Sequence, residues 1–342
     1  MKVLLLSDFF LSGQTTHVLE LAKQLQRLGI KVHIVFGTIH SRLFWSHYIP
    51  YLYQHHISFS EGADLVKLVA LSRHWKPDLV HSQSSTLFQR AQLLSYRLDI
   101  PYILTCHGLG FNQIRHRQTL ASASTVIAIG PRVALEIADL NHSVVTILNG
   151  VDTELFSPPT AKVGPRKEIL YVGRLEKNRL EPLRYLVKAL EALGQGPLKI
   201  ISNWNPSLPG TSFKPWQANL VPELQRSGIV VACGRTAREA LSCGNAVLLM
   251  QQAYDGIISP LLVTHPDFDF SGNLGRFPFA RIEGDLHMLL HSSRQRRKLQ
   301  SWGRDYSLVH LSSEQMAKKT ALVYEKVLEF PKKTPSGSMG FT

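Results

Sequence analysis

No apolar run in this sequence approaches the roughly 20 residues that a membrane-spanning helix needs. Cysteine is nearly missing: Cys106, Cys233 and Cys243 are the only three in 342 residues, and an odd set cannot fully pair. None sits in a metal-like cluster. A disulfide scaffold is therefore excluded, and the composition fits a reducing cytoplasm, with Cys233 and Cys243 as small buried hydrophobes flanking one short helix. Zinc-finger spacings, an RNP-like aromatic strand and a helix-turn-helix pattern are all lacking, which argues against nucleic acid as a partner. The first strand is not followed by GxGxxG, so a dinucleotide cofactor fits poorly. The opening Met-Lys-Val-Leu-Leu-Leu-Ser-Asp is too short for a signal peptide and reads as a buried strand.

Against these absences stand 44% hydrophobic residues and a net charge of +13. The length suggests two domains. The charge is scattered, with concentrations at 115–117, 294–298 and 332–333, and suits phosphorylated substrates or an anionic membrane surface. The stretch 289–302 is basic but reads as a solvated helix and not as a membrane anchor.

The most informative stretch is 229–250, IVVACGRTAREALSCGNAVLLM. An apolar run (229–232) breaks at Gly234, restarts as a helix over 236–243, stops at Gly244 and returns as a second apolar run, 246–250. That is the βαβ grammar of a parallel sheet. Gly234 lets backbone approach a ligand, the helix start favours an anion, and Arg235 adds positive charge there. Glu239, one turn further in, is placed to accept hydrogen bonds from ribose hydroxyls. A nucleotide diphosphate satisfies all of these at once.

Elsewhere the same grammar recurs. Residues 2–7 read as a central strand, followed by a polar loop to Gly13, a helix over 15–28 and a strand over 32–36. The aromatic and histidine run 44–59 reads as packing more readily than as a substrate groove. Strands at 77–82 and 101–106 end in polar loops, the second in His107-Gly108 on the same rim as Gly13. Strands at 125–129 and 144–148 close the first sheet. A second sheet starts at 168–172, followed by Gly173-Arg174 and a helix over 182–193.

In this order, Ser12-Gly13 with His17, Thr105-Cys106-His107-Gly108, the run from Asn149 to Phe156, Val172-Gly173-Arg174-Leu175 and the run from Gly234 through Glu239 to Gly244 resemble a GT-B-fold family 4 glycosyltransferase. The resemblance spans about residues 1–328. The Gly-Arg form of the turn at Gly234 is similar to that of a subgroup of small bacterial members. It implies two Rossmann-like, doubly wound α/β domains facing a central cleft: 1–155 for the acceptor, a linker over 156–167, and 168–310 for the donor nucleotide. A helix over 311–330 would pack back on the first domain, ahead of a disordered tail, 331–342.

The resemblance also implies roles. Gly13 would approach the donor diphosphate or the reacting sugar, and His107 would hydrogen-bond the sugar near the reaction centre. Arg174, with Arg179, would meet the charge of the departing diphosphate. Gly234, Arg235 and Glu239 would hold the nucleotide, and His17 and Gly108 would lie on the acceptor or sugar side. The activity implied is hexosyl transfer from a UDP- or GDP-sugar to a glycan, lipid or small molecule, with retention and without a metal or other cofactor. The implied setting is bacterial envelope or polysaccharide synthesis, in the cytoplasm or peripherally on the inner membrane face. Three departures stand out. Val231 occupies the position of the family's first glutamate, no lysine matches after Gly173-Arg174, and the usual glycine-rich loop reads Ser202-Asn203-Trp204-Asn205-Pro206. They favour an alternative, a non-catalytic relative that binds a sugar nucleotide or glycan. No paired-carboxylate motif supports a sugar-nucleotide epimerase or a glycosidase.

Overall fold

The computed structural model describes residues 1–10, 12–160, 166–217 and 219–330. Two compact units divide the chain, one of Met1–Gly150 with the chain from Ser313 onward, the other Val151–Ser312. Residues 151–155, read above with the first domain, thus belong to the second unit. Positions 161–165 of the linker and the tail 331–342 lie outside the described residues.

The first unit runs β1 (Lys2–Phe9), α1 (Gly13–Arg27), β2 (Lys31–Ile39), α2 (Ile49–Gln54), β3 (Ser58–Glu61), α3 (Leu65–Trp75), β4 (Leu79–Ser82), α4 (Phe88–Leu98), β5 (Tyr102–Cys106), α5 (Ile114–Ser122), β6 (Thr125–Ala128), α6 (Pro131–Ile137) and β7 (Val144–Thr146). Its sheet has the order β3-β2-β1-β4-β5-β6-β7, and every pairing is parallel. Strand periodicity separates two cores. Val3, Leu5, Ile34 and Ile103 face one side with Val18 and Leu21 of α1, while Leu4, Leu6, Val80 and Leu104 face the other with Leu68, Phe88 and Leu94. Part of the aromatic run is packing: Phe44 is buried, Tyr48, Tyr51 and Phe59 pack against the same core, and Phe44 meets Phe9, Phe36 and Phe59 edge to face, whereas Trp45 and Tyr53 are exposed.

The second unit runs β8 (Ile169–Val172), α7 (Leu180–Ala192), β9 (Leu198–Ser202), β10 (Thr211–Pro215), α8 (Val221–Arg226), β11 (Ile229–Ala232), α9 (Gly234–Ser242), β12 (Ala246–Met250), β13 (Tyr254–Ile257), α10 (Pro260–Val263), α11 (Arg281–His291) and α12 (Ser293–His310). Its sheet order is β10-β9-β8-β11-β12-β13, parallel except for β13, which pairs antiparallel with β12. The stretch 289–302 is not one solvated helix. It spans the end of α11 and the start of α12, and Arg296 is only 2% exposed, donating to the carbonyls of Leu289 and Leu290. A buried arginine there satisfies the orphan carbonyls that end α11.

After α12 the chain returns to the first unit as α13 (Ser313–Glu329). Met316, Ala317, Tyr324 and Val327 join the core under α1, and the Gln24 side chain donates to Ser313 Oγ (3.2 Å). Gly150 allows this close approach, since a Cβ there would lie 2.5 Å from the Ser313 Cα.

Candidate active site

Doubly wound sheets bind ligands beyond the carboxyl ends of their strands, where the strand order reverses. The reversals here fall between β1 and β4 and between β8 and β11. The loops at and beside those ends carry Gly13, His17, His107 and Gly108 in the first unit, and Arg174, Arg179, Gly234, Arg235 and Glu239 in the second.

In the first unit Ser12 caps α1, accepting from the backbone N–H of Gln14 (3.2 Å) and Thr15 (3.4 Å), so Gly13 opens the helix. The His17 ring meets His107 edge to face, with centroids 4.7 Å apart. His107 Nε2–H donates to Gln83 Oε1 (2.8 Å). The Gln83 amide nitrogen in turn lies 3.0 and 3.3 Å from the two ring nitrogens of His81. Those nitrogens are bonded to the hydroxyls of Tyr324 (2.6 Å) and Thr105 (2.7 Å). Because a carboxamide oxygen can only accept, His107 carries its proton on Nε2 and keeps a lone pair on Nδ1. Burial pushes the pKa of both His81 and His107 down to about 3, so both rings are neutral near pH 7. Beyond Gly108, which has open space where a Cβ would stand, the loop is pinned by Glu136, whose carboxylate accepts from Gly110 N–H (2.9 Å) and Phe111 N–H (3.1 Å).

In the second unit Arg174 is exposed at the end of β8, and its carbonyl accepts from Arg179 Nη1 (2.7 Å). Arg179 also lies 3.8 Å from Glu176, and the Gln251 amide oxygen accepts from it. The segment in place of a glycine-rich loop folds back on this turn: Asn203 Oδ1 accepts from Leu175 N–H (2.6 Å), and Trp204 Nε1–H donates to Leu175 O (2.8 Å). Gly234 begins α9 at φ +58°, a left-handed conformation that only glycine adopts freely, with open space over its Cα. Its N–H donates to Phe270 O (2.5 Å). Arg235 and Glu239, read separately above as phosphate and ribose contacts, are joined by a 2.7 Å bond from Nε to Oε1. Spaced four apart, they share one helix face. Val231 is fully buried inside β11, in one core with Tyr171 and Leu248, so the position of the first glutamate offers no carboxylate.

Three contributors escaped the sequence reading. Gln83 and Glu136 showed only as polar residues, Gln83 at the end of a strand. Arg238 passed as one more helix residue, yet it is 8% exposed, with its guanidinium 4.3 Å over the Phe270 ring. Burial first, and then Arg235, push its pKa down to about 10.

Residues 11–155 match the family model described as Glycosyltransferase Family 4. No curated protein sequence matches the chain. Among solved structures, HepE from Anabaena in complex with UDP is 14% identical with a TM-score of 0.73, over 95% of this chain and 100% of that one. A glycosyltransferase from Rickettsia africae is 16% identical with a TM-score of 0.76, over 96% and 99%. Sucrose-phosphate synthase from Thermosynechococcus elongatus is 15% identical with a TM-score of 0.69, over 96% and 99%.

Proposed function

We propose that the chain is a family 4 glycosyltransferase of the GT-B fold, on the family match of residues 11–155 and the two doubly wound sheets, and that it moves a hexose from a UDP- or GDP-sugar to a glycan, lipid or small-molecule acceptor with retention of configuration. The observation that carries this reading is the start of α9, where a bare glycine, a helix N-terminus and several arginines stand at a strand-order reversal. An anionic ligand fits there. Solved structures of HepE with UDP and with UDP-glucose make a uridine nucleotide the first donor to test.

In the proposed reaction the anomeric C–O bond to the diphosphate breaks, and the acceptor oxygen bonds to the same face of that carbon. The acceptor proton passes to the departing phosphate oxygen. Arg174, Arg179, Arg235 and the helix dipole offset the charge on the leaving group without a metal, and Glu239 takes the ribose. His107, neutral and with a lone pair on Nδ1, accepts from a sugar hydroxyl instead of donating a proton. Gly13 leaves room for the diphosphate or sugar, and His17 and Gly108 border the sugar side. The net charge of +13 suits an acceptor at an anionic membrane surface and a role in envelope polysaccharide synthesis on its cytoplasmic side. No described helix is long and apolar enough to cross a membrane.

A second reading, sugar-nucleotide binding without turnover, is favoured by the buried Val231 and by Asn203 and Trp204 filling the place of the glycine-rich loop. Thermal shifts with UDP, GDP, ADP and their sugar conjugates, with and without EDTA, test the nucleotide site, because a ligand of the native state alone raises the midpoint. One base raising it, unaffected by EDTA, supports the site. Release of sugar from that donor then separates enzyme from binder. No shift with any nucleotide at millimolar concentration sinks the enzyme and leaves only a glycan-binding relative.

A further inference from the structure

Three arginines crowd the start of α9, and two of them are already engaged. Arg235 is bonded to Glu239, and the terminal nitrogens of Arg179 are held by Arg174 O, Glu176 and Gln251. Arg238 differs: no described residue makes a hydrogen bond to it, and its Nε is buried with no partner. Asp269 and Tyr306 offset part of its charge from a distance without bonding to it.

Helical side chains lean toward the N-terminus, so a residue in the second turn covers the first. The guanidinium of Arg238 accordingly stacks on Phe270, the residue whose carbonyl accepts the N–H of Gly234. Its charge also reaches Cys233, just before the helix, where together with Arg179 it opposes the rise that burial imposes on the thiol. A buried guanidinium with five donors and no acceptor is costly to hold. It is explained when a ligand supplies the acceptor oxygens, and the fork of an arginine matches a phosphoryl group.

We infer that Arg238 is an anion ligand of this chain, completing with the α9 N-terminus a site for a phosphoryl group such as a diphosphate. The inference deepens the nucleotide-sugar reading above and rests on it for the identity of the natural ligand, but inorganic pyrophosphate probes it independently.

The test compares the full chain with Arg238→Met and Arg238→Lys by calorimetry and thermal shift, using pyrophosphate and then UDP. Methionine fills the space over Phe270 without charge. Unliganded Arg238→Met should therefore melt at the same temperature as the wild type or higher, while binding pyrophosphate about tenfold to a hundredfold more weakly. Arg238→Lys keeps the charge but loses the fork, so its affinity should fall between the two. A lower midpoint for unliganded Arg238→Met with an unaltered pyrophosphate affinity makes the residue purely structural and overturns the inference, as does a wild type that binds no pyrophosphate. If the methionine variant does not fold, the lysine variant decides: an affinity equal to wild type overturns the inference, and a clear loss supports it. Pyrophosphate binding through Arg238 without UDP binding would sink the nucleotide reading and leave this one standing.

Discussion

The two rims handle buried polarity in opposite ways. In the first unit, His107, Gln83, His81, Thr105 and Tyr324 form a neutral chain in which each hydrogen bond fixes the next. In the second, Arg179 and Arg238 each keep a buried Nε without a partner. That network leaves over one neutral acceptor, the buried Nδ1 of His107, and a neutral group costs less to leave unpaired than a cation does. Unsatisfied cations store free energy that an anion can release. The contrast teaches that the first unit is built for shape and the second for charge.

Acid gives the sharpest way to break that comparison. His81 and His107 have folded pKa values of about 3, below the ordinary 6.5. The unfolded chain therefore binds more protons, and the stability of the first unit falls as pH drops from about 6.5 toward 3. The fully buried His81 alone contributes about 1.4 kcal/mol per pH unit, or about 3 kcal/mol by pH 4.5. In the second unit burial raises the pKa of Glu223, but hydrogen bonds from Lys199, Lys214 and Arg226 outweigh it and hold the value at about 2. That stability is present above about 4.5 and lost only as pH falls toward 2. Hydrogen exchange followed by mass spectrometry should find the first unit opening at the higher pH; a common onset removes the contrast.

Tyr324→Phe probes the neutral network at its far end. Leaving a His81 nitrogen unsatisfied should cost about 1–3 kcal/mol in denaturant unfolding, and an unchanged midpoint would mean the network is slack. On the charged rim, Glu239→Ala should weaken nucleotide binding by about 1–3 kcal/mol while freeing Arg235. Unaltered or tighter binding in calorimetry would assign Glu239 to holding Arg235 and not to the ribose. The smallest effect belongs to Ser12→Ala, which removes the cap of α1 and should cost about 1 kcal/mol of stability. A neutral result would show that the turn before Gly13 is held from elsewhere.

Legibility followed burial. β11 and β12 were readable residue for residue, because central parallel strands are apolar on both faces. Of the edge strands, apolar β7 was read at 144–148, but β3, β10 and β13 were not, since an edge needs only one partner and its sequence, as in Ser58–Glu61, can carry polar residues. The antiparallel direction of β13 is likewise invisible in a four-residue run. At the rims, His107, Arg174 and Gly234 stood out because each ends a strand and begins a turn. Gln83 and Arg238 did not, because their significance lies in what they touch: a histidine 24 residues along the chain, and a phenylalanine on a later loop.

By itself, then, the sequence determined the alternation of apolar runs, glycine stops and amphipathic helices, and with it two parallel-sheet units with polar, glycine-containing turns at their strand ends. Those features are local, set by backbone sterics and side-chain period. Only the tertiary structure decided which polar groups are satisfied. It joined Arg235 to Glu239, oriented His107 through Gln83, brought Tyr324 of the returning α13 beneath the first sheet, and left Arg238 buried without a hydrogen-bond partner among the described residues. Hydrogen-bond satisfaction is a property of neighbours in space, and the chain brings those neighbours together only when it folds.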